Sequence, residues 1–245
     1  MATVFFCGDP HGRFTHIIRA VVAHRPKAVV LLGDQTVDRP LHVELAEILD
    51  LTQIYWIAGN HDSDNERHYD NLFESKLKGR NPEENVAMVD GITIAGIGGV
   101  FREKFWNGLE PSSYASYSPK DFIQTIGGGN KWRGGLPLRQ RTTVFPSKVA
   151  ALDNFEIDVL VTHEGPDLHR SGNPAYTRLA ARLHVKHAFH GHHHEIIDYP
   201  GGIWRGVSLN GIVAMDTKTF ELTQIDRGKV STKSRSAPAD PLSVE

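Results

Sequence analysis

Three stretches near the start of the chain, residues 3–7, 28–32 and 53–58, are almost continuously apolar and rich in β-branched and aromatic side chains. Runs of this length without alternation suit strands buried on both faces, as in a sheet covered by helices. Between them the period changes. Residues 16–24 place Ile17, Ala20, Val21 and His24 on one face, and residues 41–49 repeat Leu41, Leu45, Ile48 and Leu49, the spacing of amphipathic helices. This β-α-β-α-β opening predicts a layered α/β domain. Residues 86–96 read as a hairpin turning at Asp90-Gly91. Residues 100–146, rich in Gly, Pro, Ser, Trp, Tyr and Arg, have weak periodicity and read as an irregular insertion near the site, placed to act as a lid. Beyond it the pattern predicts a helix over 147–154, a strand over 159–162, a helix over 175–183 and a short strand at 188–189. Antiparallel strands over 203–220 and 222–225 close the domain. From Gly228 onward apolar residues are few, which sets the domain at 1–227 and predicts a disordered tail over 228–245.

Polar residues of ligand type sit where the apolar runs stop. Gly8-Asp9-Pro10-His11 follows the first run, Leu32-Gly33-Asp34 ends the second, and Gly59-Asn60-His61-Asp62 follows the third. One Asp-bearing turn after a strand is commonplace and is usually a cap. Three in succession are not, because the carboxyl ends of parallel strands are where open α/β sheets bind ligands. Two later segments add imidazoles: Thr162-His163, and His190-Gly191-His192-His193-His194. If the latter stays extended, alternation puts His190, His192 and His194 on one side and His193 on the other, facing solvent. His190 is expected to pack or hydrogen-bond behind the ligands. Carboxylates and imidazoles are the donors that hold Zn, Mn or Fe.

Composition sharpens this. Of 245 residues 14 are histidine, densest between His184 and His194, and histidine is the commonest metal ligand. A formal net charge of -2 gives no electrostatic footprint for nucleic acid or an anionic membrane. No run approaches the roughly 18 apolar residues of a membrane helix, and Asp9 interrupts the first apolar run too early for a secretory signal. The single cysteine, Cys7, lies in an apolar run and cannot form an intrachain disulfide. A reducing, cytoplasmic setting is expected.

Taken in order, Asp9-x-His11, Gly33-Asp34, Gly59-Asn60-His61-Asp62, Thr162-His163 and Gly191-His192-x-His194 resemble the motifs of the calcineurin-like metallophosphoesterases. The resemblance implies a four-layer α/β/β/α sandwich of two mixed sheets flanked by helices. It implies that Asp9, His11 and His194 hold one divalent ion and Asn60, His163 and His192 a second, with Asp34 bridging. His61 would face the substrate. Two ions carry four positive charges; Asp9 and Asp34 remove two and a bridging hydroxide a third. The surplus attracts a phosphate ester and stabilises the charge of its transition state. His61 is suited to protonate the leaving group, with Asp62 or Asp64 orienting its ring. Manganese is the expected metal, and the same donors accept Fe, Zn or Co.

Residues 33–40 resemble only in part the corresponding segment of phosphoprotein phosphatases, with one residue more and a closing Pro40, so a phosphoprotein substrate is not implied. Arg39 and Arg102 are candidate contacts to substrate phosphate. Trp106, Tyr114, Tyr117 and Trp132 either stack on an aryl group or pack the insertion onto the domain. The expected function is metal-dependent hydrolysis of a phosphomonoester or phosphodiester. The alternatives are a non-catalytic scaffold with the same fold, or a metal store built on the histidine cluster, which leaves Asp9, Asp34 and Asn60 without a purpose.

Overall fold

The computed structural model describes residues 2–83, 86–109 and 116–229. In chain order the first elements are β1 (Thr3–Cys7), α1 (Thr15–His24), β2 (Ala28–Leu31), α2 (Leu41–Glu44), β3 (Gln53–Trp56), α3 (Glu66–Phe73), β4 (Ala87–Val89) and β5 (Ile92–Ile97). They are followed by α4 (Pro119–Thr125), α5 (Pro146–Ala151), β6 (Val159–Thr162), α6 (Pro174–Arg182) and β7 (His187–His190). The last are β8 (Ile197–Asp198), β9 (Trp204–Gly206), β10 (Ile212–Asp216) and β11 (Leu222–Asp226). One sheet has the order β11-β10-β1-β2-β3 and the other β4-β5-β6-β7-β9-β8. β1, β2 and β3 run parallel, as do β5, β6, β7 and β9.

Strand alternation builds the four layers. On β1, Val4 and Phe6 face the second sheet, where they join Val30, Leu32, Ile94, Val161 and Phe189 in one core. Phe6 stacks on Phe189 at 3.8 Å between centroids. The intervening residues Phe5 and Cys7 face outward onto Ile17 and Val21 of α1, Leu41 of α2 and Leu72 of α3. On the far side, Ala95, Ile97 and Leu160 are covered by Val149 of α5 and by Tyr176 and Leu179 of α6. Each large side chain buried in this way stabilises the fold by about 1.5–3 kcal/mol. Among the described residues, no helix is long and apolar enough to cross a membrane.

Several elements depart from the pattern of the sequence. The helix expected over 41–49 is α2 followed by a separate 3-10 turn at Ala46–Ile48. The strands expected over 203–220 do not pair with each other. β9 lies parallel to β7 in the second sheet, and β10 crosses to the first sheet, antiparallel to β1. Apolar patterning marks both as strands but cannot assign them to a sheet. The pattern gives no sign of β8 or α3; α3 is polar along much of its length and is capped by Asn65, whose side chain accepts the His68 N–H. Of the tail, Gly228 and Lys229 are described, and Lys229 pairs with Leu209; residues 230–245 lie outside the described residues.

Candidate metal centre

The parallel strands deliver all seven predicted ligands to one edge of the sandwich. Asp9 and His11 follow β1, Asp34 follows β2, Asn60 follows β3, His163 follows β6, and His192 and His194 follow β7. Five of them have left-handed backbone: Asp9 (φ 37°), His11 (44°), Asp34 (50°), His192 (61°) and His194 (56°). For a residue with a Cβ this costs about 1–2 kcal/mol each, and such outliers collect at functional sites, where the surroundings over-determine them. Neighbouring glycines let the loops close on one another. A Cβ on Gly33 would lie 2.1 Å from His163 Nδ1, and one on Gly59 would lie 2.1 Å from Asp34 Oδ1.

The side chains form one connected group. His163 Nε2 is 3.2 Å from Asn60 Oδ1 and 3.5 Å from Asp34 Oδ2. His11 Nε2 is 3.8 Å from Asp34 Oδ2, and His194 Nε2 is 3.9 Å from Asp9 Oδ2. Asp34, His163 and His192 each bring one ligand atom within 4.8 Å of the others. His163 Nδ1 sits 2.8 Å from the Leu32 carbonyl oxygen. That oxygen only accepts, so Nδ1 carries a proton; Nε2 is turned toward Asp34 and Asn60, while Nδ1 also lies 3.7 Å from Asp9 Oδ1. Asp9 Oδ1 is buried with no hydrogen-bond partner. A buried anionic oxygen without a donor is costly, and a cation relieves it. The donor set and this orphaned oxygen fit divalent metal.

Electrostatics points the same way. Burial raises Asp9, against the opposing charge of His163. Burial would raise Asp34 too, but His163 and the His61 N–H overrule it and hold Asp34 below the usual carboxylate range. Burial would lower His163, yet the charges of Asp34 and Asp9 bring it up to about 10. In metal-free protein this proton stands where cationic charge is wanted. His192 is pushed down to about 3, and His11 and His194 are lowered, all chiefly by burial, which leaves neutral imidazoles, the form that binds metal.

His61 is placed differently. It is half-exposed, its ring lies 5.7 Å from that of His11, and its Nδ1 is 2.7 Å from Asp64 Oδ2. Burial works to lower it, but the Asp64 contact and the Asp34 charge outweigh that and its pKa is raised. Asp64 is thus the partner of the ring. Asp62 is not that partner: fully buried, it accepts the Thr36 and Gly59 N–H groups at 2.8 Å each and ties the Asp34 loop to the Asn60 loop.

Beside the ligands opens a cavity of about 280 Å³ that exposes Asn60, His192, Asp64, Arg102, Arg139 and Glu164. Arg102 donates to Thr143 Oγ1 and to the Arg139 carbonyl oxygen, both neutral groups. Arg139 and Glu164 escaped the sequence; Glu164 directly follows His163, and that adjacency was the available signal. Burial brings Glu164 up to about 7, and its Oε2 accepts the Phe101 N–H. Arg39, in contrast, pairs with Glu44 on the surface and does not line this cavity. A larger cavity of about 430 Å³ lies between Trp106, Tyr117 and α5 and α6 and contains none of the ligands.

Other expectations need correction. The histidine segment does not stay extended: β7 ends at His190, and the left-handed turns at His192 and His194 break the alternation. His193 does not face solvent. It stacks on His169 at 3.7 Å, and its Nε2 accepts the Gly165 N–H. His190 is fully buried behind the ligands, as expected, and burial lowers its pKa to about 4. In the insertion, Trp106 is core and Trp132 packs against Tyr69 and under Arg133 and Arg141. Tyr117 borders the larger cavity, and Tyr114 lies outside the described residues.

Residues 2–195 match the family model of the calcineurin-like phosphoesterases. An uncharacterized protein of Haemophilus influenzae is 38% identical over 202 residues, covering 80% of this chain and 85% of its own. The solved structure of TT1561 from Thermus thermophilus matches with a TM-score of 0.58 at 12% identity, over 92% of this chain and 99% of that one, a likeness of fold.

Proposed function

Because the chain belongs to the calcineurin-like phosphoesterase family, we propose that its strand-end cluster holds two divalent ions, manganese first among them, and cleaves a phosphomonoester or phosphodiester. Membership makes it a metallophosphoesterase, a hydrolase of phosphoric esters that works with divalent metal. What carries the finer assignment is the convergence of Asp34, His163 and His192 within 4.8 Å, beside Asp9 Oδ1, which is buried without a hydrogen-bond donor and lies 3.7 Å from His163 Nδ1. Asp9, His11 and His194 would hold one ion and Asn60, His163 and His192 the other, with Asp34 available to both. The chemistry supplied by such a pair, when bound, is neutralisation of the ester and a more acidic attacking water.

The chain's own residues do the rest. Leu32 fixes the His163 tautomer through its carbonyl oxygen, leaving Nε2 free to bind. Asp64 aligns the His61 ring and favours its protonated form, which suits a proton donor to the leaving oxygen. Arg102, hydrogen-bonded to the neutral Thr143 hydroxyl and Arg139 carbonyl, and Arg139 receive the anionic substrate in the cavity beside Asn60. Protein loaded with Mn²⁺ should cleave p-nitrophenyl phosphate or its bis ester, and chelator should abolish this. His61→Ala should lower kcat by about 10²–10⁴-fold with two ions retained. No cleavage of any ester in a broad panel by protein holding both ions would refute catalysis at this site.

A further inference from the structure

The carboxylate of Asp9 is reached by a single peptide that is itself held from behind. Asp9 Oδ2 accepts the His192 N–H at 2.9 Å. That N–H belongs to the peptide joining Gly191 to His192, and the carbonyl oxygen of the same peptide lies 2.8 Å from His190 Nδ1. On the far side of the ring, His190 Nε2 lies 2.9 Å from the Tyr199 hydroxyl. A carbonyl oxygen can only accept, so Nδ1 carries the proton. On the neutral ring Nε2 is then bare, and the Tyr199 O–H donates to it. An unbroken line of donors and acceptors runs from Tyr199 through His190 and the 191–192 peptide to Asp9.

This peptide needs holding. It lies between a glycine and a residue with φ 61°, where the backbone can turn over with little steric cost. Turned over, it would present a carbonyl oxygen to the Asp9 carboxylate and displace the His192 ring. The His193 N–H holds the Gly191 carbonyl oxygen at 2.7 Å, and the fully buried His190 adds a second hold on the same oxygen from inside the fold.

We propose that His190 and Tyr199 are positioning residues for the metal centre: Tyr199 sets the tautomer of His190, and His190 locks the 191–192 peptide so that Asp9 Oδ1 stays aimed into the cluster. The proposal rests on Asp9 being a ligand, and its test is binding of Mn²⁺ alone, followed by the loss of the free-ion signal in electron paramagnetic resonance. Wild type should take up two ions. His190→Gln, whose amide reaches toward Tyr199 and not Gly191, should bind one ion about 10- to 100-fold more weakly, the usual effect of losing a partner behind a ligand, with the other ion little changed. His190→Asn, which restores a donor near the Nδ1 position, should recover most of the loss. Tyr199→Phe removes one oxygen and should give a smaller loss of the same ion; it carries the same test if His190→Gln does not fold. In metal-free wild type, ¹⁵N shifts of the His190 ring should report the Nδ1–H tautomer, and a mixture in Tyr199→Phe. Unchanged affinity in folded His190→Gln or Tyr199→Phe, or an Nε2–H tautomer in wild type, would overturn the proposal. Fewer than two ions in wild type would overturn the reading of the centre itself, whatever the tautomer.

Discussion

At the strand ends, Gly33 leaves 2.1 Å between a would-be Cβ and the His163 ring, and the carboxyl groups of Asp9 and Asp34 are buried beside that ring and raise its pKa. In the insertion, Arg133 reaches Asp70 and Glu66 across a half-exposed surface and stacks on Trp132 at 4.1 Å. Both regions are needed to frame the cavity, yet they are held by different forces. The first depends on close fit and unscreened charge, so each atom matters and errors do not average out. The second depends on ion pairs and ring contacts in water, each weak and replaceable. Buried contacts do fasten the insertion at its root, where Ser63 Oγ meets Thr142 Oγ1 at 2.7 Å and the Gly99 N–H reaches the Ala58 carbonyl oxygen. At that end Val100, Phe101, Arg102 and Arg139 of the insertion line the cavity beside the candidate ligands.

The contrast breaks most sharply at Asp34, the carboxylate proposed to serve both ions. Asp34→Asn should lower kcat/KM by more than about 100-fold, beyond the effect of changes behind a ligand, and reduce bound Mn²⁺ from two ions to one. Full activity with two ions would mean that Asp34 is merely structural. Gly33→Ala comes next. Its φ of 106° and the His163 ring leave no room for a methyl group, so unfolding experiments should show a loss of about 2–3 kcal/mol. A neutral result would show that the edge relaxes as the insertion does.

A pH titration of metal-free protein probes the same charge. His163 is raised from the ordinary 6.5 to about 10, so the folded state keeps a proton that the unfolded chain releases. Its contribution to stability is complete below pH 6.5 and disappears as pH rises through 10. Asp9, also raised, acts in the same direction. The metal-free Tm should therefore fall across that window. Saturating Mn²⁺ should remove the fall, because binding requires the protons to leave. A flat Tm would show that the cluster does not hold this proton. The smallest effect belongs to the insertion: Arg133→Ala should cost less than about 1 kcal/mol and leave Mn²⁺ binding untouched. A larger loss, or a weakened ion, would erase the distinction between the two regions.

Much of the candidate centre could be read from the chain alone because its residues stand at fixed offsets from apolar runs. Asp9, Asp34, Asn60 and His163 each follow a buried strand, and parallel strands must send their carboxyl ends to one edge. Topology does the gathering, so strand order in the sequence carried the information. His190 and His193 show where this stops. Five residues in a row, four of them histidine, give no local sign of which rings turn inward, since that depends on left-handed turns at His192 and His194 and on Tyr199 and His169 arriving from elsewhere.

The sequence by itself determined the layered α/β class, because hydrophobic period is a local property, and the resemblance of its ordered strand-end motifs to the calcineurin-like metallophosphoesterases singled out the seven candidate ligands and His61. Only the tertiary structure decided that Asp64 and not Asp62 partners His61, that Arg39 turns away to Glu44, and that Arg139 and Glu164 join Arg102 at the cavity. These outcomes rest on distances between side chains brought together by folding, often across the two sheets. Such distances are set by how the layers pack, and no spacing along the sequence encodes them.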